Sequence, residues 1–186
     1  GGMTMASRIL DFVRPDHWSC GPTAVRSITG ASIEQVEAVL KPVLAKDGRD
    51  PENLSGMLPR HIVTALNALG FEVFDKRENR QTTPLAPRNI ATPIVNPWEW
   101  SGYPTIKQFV AANTCPDVVM GLALEDDLSA VTHTFVVDGS TFFDSNTAGE
   151  IVSADAVPQD LERFRVLAWY RVRRRATATV EAEEVS

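Results

Sequence analysis

Apolar residues recur at helical spacing through the first part of the chain and gather into short alternating or continuous blocks through the last part. The pattern therefore predicts helices first and strands afterwards. Ala24, Val25 and Ile28 follow Gly21-Pro22 at helical spacing. Pro22 suits a first helical turn because its missing N–H needs no intrahelical partner there, and Gly30 supplies a stop. Ser32-Ile33-Glu34-Gln35 is a capping-box signature for a second helix, whose apolar face is Ile33, Val36, Val39 and Leu40. Residues 46–56 are polar, carry Asp47-Gly48 and Asp50-Pro51, and read as a loop. Pro59 opens a third helix with the stripe Leu58, Ile62, Ala65, Leu66 and Leu69, closed by Gly70. A short strand follows at 71–74.

Residues 75–100 form a long connection interrupted by prolines, with room for a strand at 91–95. A connection of this length inside a compact domain is usually functional or mobile. Trp98 and Trp100 sit at its end. They read either as a hydrophobic clamp that pins the loop or as one wall of a substrate groove. Residues 105–112 suit a fourth, short helix. The near-continuous apolar run at 118–124 is expected of a strand covered on both faces. Segments 132–138 and 141–144, separated by Asp138-Gly139, read as a hairpin, and 164–172 alternates as a last strand. The expected class is a segregated α+β fold with amino-terminal helices packed on a carboxy-terminal antiparallel sheet.

Composition narrows the options. At 186 residues, 44% hydrophobic and 23% charged, the chain suits one domain over 3–175, with an acidic tail at 176–186 expected to be disordered. Gly1-Gly2 before Met3 reads as a cloning remnant. The net charge of -6 argues against a general nucleic-acid partner. The cluster Arg171, Arg173, Arg174 and Arg175 reads as a solvated strand end. No apolar run reaches membrane-spanning length and no secretory layout opens the chain, so a membrane partner is not expected and the cytoplasm is the expected compartment. With two cysteines, no Cys-x-x-Cys and three histidines, neither a metal site nor a cofactor is implied. A Cys20 to Cys115 disulfide stays open from sequence alone, although cytosolic thiols remain reduced.

Cys20 stands where a thiol nucleophile would be placed, at the amino end of the first helix. Unpaired N–H groups and the positive dipole end there favour thiolate over thiol. The alternative is a small buried hydrophobe capping a core helix. The hairpin supplies a base. If Asp138-Gly139 is a two-residue type I′ turn, His133 lies directly across from Asp144, with Cβ atoms roughly 5 Å apart. A turn at Gly139-Ser140 instead opposes His133 to Asn146, yet parity keeps Asp144 on the same face. Either register sets an imidazole beside an acceptor, as a thiol nucleophile requires. His17 has only the adjacent Asp16 to orient it. His61 is expected near the exposed start of the third helix, and Cys115 as structural. Ser19 and Ser145 lack the strand-to-helix elbow of a serine nucleophile.

The order of a helix-opening Cys, a distant strand His and an Asp ending the next strand resembles the papain-like cysteine peptidase superfamily. Ser19-Cys20-Gly21-Pro22-Thr23-Ala24 is similar to the Cys-Gly-Pro-Ala nucleophile motif of bacteriocin-processing-type peptidases. His133 with residues 136–139 and 143–145 is similar to the His and Tyr-Asp strands of that superfamily. Residues 105–110 match a Thr-Ile-x-Gln-Phe-Val helix of small papain-like proteins from bacteriophages and bacteria. The resemblance implies a papain-like fold and a thiol hydrolase acting on a peptide or protein amide, in the host cytoplasm if phage-encoded. Amidases and acyltransferases share the same triad. Cys20 would be the nucleophile, His133 the base and Asp144 its orienter, with Asn146 in reserve. Trp18, Trp98 and Trp100 are groove candidates. Many members place an oxyanion-donating Gln before the nucleophile, and no Gln precedes Gln35 here. The donor would then be the Cys20 N–H with His17, Ser19 or Asn96. The rival is a catalytically silent module of the same fold that binds or inhibits a protein.

Overall fold

A computed structural model describes residues 7–75, 102–125 and 132–176. The expected strand at 91–95, Asn96, Trp98, Trp100 and the tail from 177 lie outside the described residues. Three helices come first: α1 (Cys20–Thr29), α2 (Ile33–Lys46) and α3 (Pro59–Ala68). Their ends follow local chemistry. Gly30 closes α1 in the left-handed conformation at φ 71°. Ser32 and Gln35 exchange the reciprocal bonds of a capping box at the start of α2. A strand, β1 (Phe71–Asp75), and a short helix, α4 (Ile106–Ala112), follow, the latter opened by a second capping box between Thr105 and Gln108.

The remaining strands are β2 (Val118–Leu124), β3 (Thr132–Asp138), β4 (Thr141–Phe143), β5 (Val152–Ser153) and β6 (Arg165–Arg174). The six strands among the described residues form one antiparallel sheet in the order β1-β6-β2-β3-β4-β5, so the fold is α+β. The pairing of β5 and the two 3-10 turns at 154–156 and 159–163 are additions to the sequence-based expectation. Segments this short carry too few residues for a periodic signal.

The sheet is covered on both faces, as the apolar run in β2 requires. Val118 and Met120 join Val25, Leu40 and Leu66 under α1–α3, whereas Val119 and Ala123 join Ile106, Phe135 and Phe164 on the opposite face. Gly121 lies opposite Phe135 in the β2–β3 ladder. A Cβ at Gly121 would come 2.1 Å from Phe135 Cζ, so the absent side chain is what lets that ring lie across the strand.

The hairpin adopts the second of the two expected registers. Asp138 pairs with Thr141 and Val136 with Phe143, so Gly139 and Ser140 form the turn. Gly139 takes φ 61° and Ser140 stays at negative φ, the pattern of a type II′ turn. Asp138 stays outside the turn, and its carboxylate is held by Arg8, with Arg8 Nη2 2.7 Å from Oδ1. This ion pair also ties the amino-terminal segment to the end of β3. Farther along, Leu10 N–H donates to the Ser27 carbonyl at 2.8 Å, and the Phe12 ring packs 5.5 Å from that of Phe143. No helix among the described residues is long and apolar enough to cross a membrane.

Candidate active site

Cys20 is the first residue of α1 and is half-buried. Ser19 holds the N-cap position in an extended conformation, but its hydroxyl does not cap the helix. It donates instead to the Leu54 carbonyl at 2.9 Å. Pro22 has no N–H, and the N–H groups of Cys20 and Gly21 make no hydrogen bond among the described residues. The Cα–Cβ bond of a helical residue tilts toward the amino terminus, so the sulfur is carried toward the end where donors are unpaired and the dipole is positive.

The imidazole comes from the edge of the sheet where pairing runs out. β4 stops at Phe143, and the chain turns away at Asp144. His133 Nε2 lies 2.6 Å from Asp144 Oδ2, with the residues 7% and 3% exposed. The other carboxylate oxygen, Oδ1, accepts the Asn146 backbone N–H at 2.8 Å, and Thr147 donates its hydroxyl to the Asp144 carbonyl at 3.1 Å. The Phe164 ring stands 5.5 Å from the imidazole. With Nε2 committed to Asp144, Nδ1 is the ring nitrogen left for the Cys20 thiol.

Thr134 completes the surroundings of the sulfur. In an antiparallel hairpin closed at Asp138, alternate residues of β3 direct their N–H groups toward β4. Val136 finds a partner in Phe143, but β4 has ended before it reaches Thr134. The Thr134 N–H and hydroxyl face the Cys20 thiol there and favour its charged form. Burial pushes the thiol pKa up; the hydrogen bond and charge of His133 and the two Thr134 donors outweigh it, and the thiol lies below its usual range. Burial likewise disfavours the imidazolium, yet Asp144 and Cys20 raise the His133 pKa to about 9. Both shifts favour the charged pair of thiolate and imidazolium. Thr134 was not singled out from sequence, and no local pattern marks it.

Several candidates sit elsewhere. Trp18 is 2% exposed and packs edge-on against Phe12, so it is a core residue and not a groove wall. His17 points outward to Glu37, 3.0 Å from Oε1, and Ser19 is occupied by Leu54, so neither side chain offers a free oxyanion donor. The Asn146 side chain is exposed, and it is the backbone of that residue that serves Asp144. His61 is buried rather than exposed: Nδ1 accepts the Leu58 N–H at 3.0 Å and Nε2 donates to Asp47 at 2.8 Å. Burial lowers its pKa, opposed by Asp47, which Arg60 also holds. It is a satisfied structural histidine.

Cys20 and Cys115 are both free thiols. Among the described residues, no group of three His, Cys, Asp or Glu side chains is arranged to hold a metal ion. No family model, curated protein or solved structure matches the chain.

Proposed function

We propose that the protein is a papain-like thiol hydrolase that cleaves a peptide or protein amide. Cys20 Sγ attacks the carbonyl carbon, and the oxygen becomes an oxyanion facing the free N–H groups at the start of α1. Collapse breaks the C–N bond as His133 gives its Nδ1 proton to the departing amine, leaving a thioester on Cys20. Water then attacks the thioester, His133 takes its proton, and the carboxylic acid product leaves with the thiolate regenerated. Asp144 keeps the imidazole oriented and balances its charge throughout.

The observation that carries this reading is an imidazole fixed 2.6 Å from a buried carboxylate and close enough to a helix-opening thiol that each favours the charged form of the other. Iodoacetamide labelling tests it. At about pH 6, Cys20 is expected to be modified stoichiometrically and faster than Cys115, and His133→Ala is expected to abolish that advantage. A Cys20 that reacts no faster than Cys115 points instead to a silent binding module. Hydrolysis of a mixed peptide library, followed by mass spectrometry and lost in Cys20→Ala, tests turnover itself.

A further inference from the structure

One side chain outside the three proposed catalytic groups is bonded to the segments that carry Cys20 and Asp144. Arg14 lies in the lead-in to α1 and is half-buried. Its Nε–H donates to the carbonyl of Ser145, the residue after Asp144, at 3.2 Å. Its Nη1 donates to the carbonyl of Trp18, two residues before Cys20, at 2.7 Å, with longer contacts to Pro15 O at 3.3 Å and Asp16 O at 3.5 Å. Among the described residues no carboxylate forms an ion pair with it. This cation is given over to backbone carbonyls, and its planar fork is what lets it hold carbonyls from two directions at once.

The surroundings explain why a brace is needed. A solvent-open groove of about 270 Å³ lies between the arms here, lined by Thr23 on the α1 side, by Asp144 and Ser145 on the other, and by Phe12 and Arg14. Close packing is what normally holds two elements at a fixed distance. Where a groove intervenes, directed hydrogen bonds add to the packing that remains, here the Phe12 ring against Trp18 and Phe143.

We propose that Arg14 is a positioning residue: its guanidinium braces the loop after Asp144 against the lead-in to Cys20, setting the distance between the imidazole and the sulfur. This rests on the triad reading above. Loosening the brace lengthens the imidazole–thiolate contact and lowers the thiolate fraction at low pH, because that contact is among the causes that stabilise the thiolate.

The test is the rate of iodoacetamide modification of Cys20 as a function of pH, with Cys115 in the same molecule as the reference thiol. Arg14→Met is expected to move the acid limb up by about one pH unit and to slow labelling at about pH 6 roughly tenfold, with Cys115 unchanged. Arg14→Lys keeps the charge and loses the fork, and is expected to recover less than half of that loss. A limb in Arg14→Met that coincides with the wild type overturns the brace and leaves the triad reading standing, whatever the melting temperature does. Full recovery by Arg14→Lys also overturns it, since charge alone would then suffice. A wild type without a His133-dependent limb removes the triad reading and the brace together. If Arg14→Met fails to fold, Arg14→Lys decides the matter: an upward shift of its limb supports the brace, and a wild-type limb rejects it.

Discussion

His133 and Asp144 meet on a diagonal of the hairpin, not straight across it. Val137 pairs with Phe142 and Val136 with Phe143, so Asp144 lies one step beyond the last paired residue of β4 when its Oδ2 reaches His133 Nε2 at 2.6 Å. The carboxylate can leave the strand and still face the imidazole because parity along a strand keeps both on one side of the sheet. Leaving the strand also opens the edge of β3 at Thr134, on the side where that residue favours the Cys20 thiolate.

The pH dependence of turnover follows from this pair. Hydrolysis needs the thiolate, present once pH exceeds the lowered Cys20 value, and the imidazolium, which is lost as pH rises through about 9. The profile of kcat/KM is expected to be bell-shaped with its alkaline limb near that value. Asp144→Asn removes a charge that raises the His133 pKa, so the alkaline limb is expected to move to lower pH and kcat to fall on the order of tenfold or more. An alkaline limb left in place by Asp144→Asn would mean that some other group sets it.

Thr134→Val removes the hydroxyl that favours the Cys20 thiolate while leaving the N–H in place. Removing one hydrogen bond to a charged acceptor is expected to raise the Cys20 pKa and slow its alkylation at about pH 6 by roughly five- to tenfold. Stopped-flow or mass-spectrometric labelling reads this directly, and an unchanged rate would assign thiolate stabilisation to His133 and the Thr134 backbone alone.

Gly121→Ala places a Cβ inside the Phe135 ring, which is fully buried. Overpacking of this kind is expected to cost about 1–3 kcal/mol in denaturant unfolding. Phe135→Leu in the same background should recover part of the loss, because the smaller side chain vacates the contested space. Simple additivity of the two changes would exclude the clash as the cause.

His61→Leu separates the two buried histidines by role. It leaves the Leu58 N–H and Asp47 without the imidazole, so stability is expected to fall by about 1–3 kcal/mol. Cys20 alkylation at a temperature well below unfolding should stay unchanged, in contrast to His133→Ala.

Much of the local structure was legible in the residues themselves. The capping box at Ser32 and the stop at Gly30 depend on groups within four positions of one another, and they formed as read; the capping box at Thr105 has the same local basis but was not singled out. The unbroken apolar run at 118–124 announced a strand buried on both sides, which β2 is. The one hairpin property that did not depend on register, the shared face of His133 and Asp144, also held.

What the sequence determined by itself, then, was the helices, the two-sided burial of β2 and the parity of the His–Asp pair, because each is set by short-range backbone geometry. Only the tertiary structure decided the register, in which Asp138 pairs with Thr141 and is held by Arg8 from 130 positions away. It alone turned His17 toward Glu37, gave the Ser19 hydroxyl to Leu54, buried Trp18 and His61, and brought Thr134 to the thiol. Those outcomes depend on which groups packing brings within hydrogen-bond reach, a matter of distance in space that residue spacing along the chain does not encode.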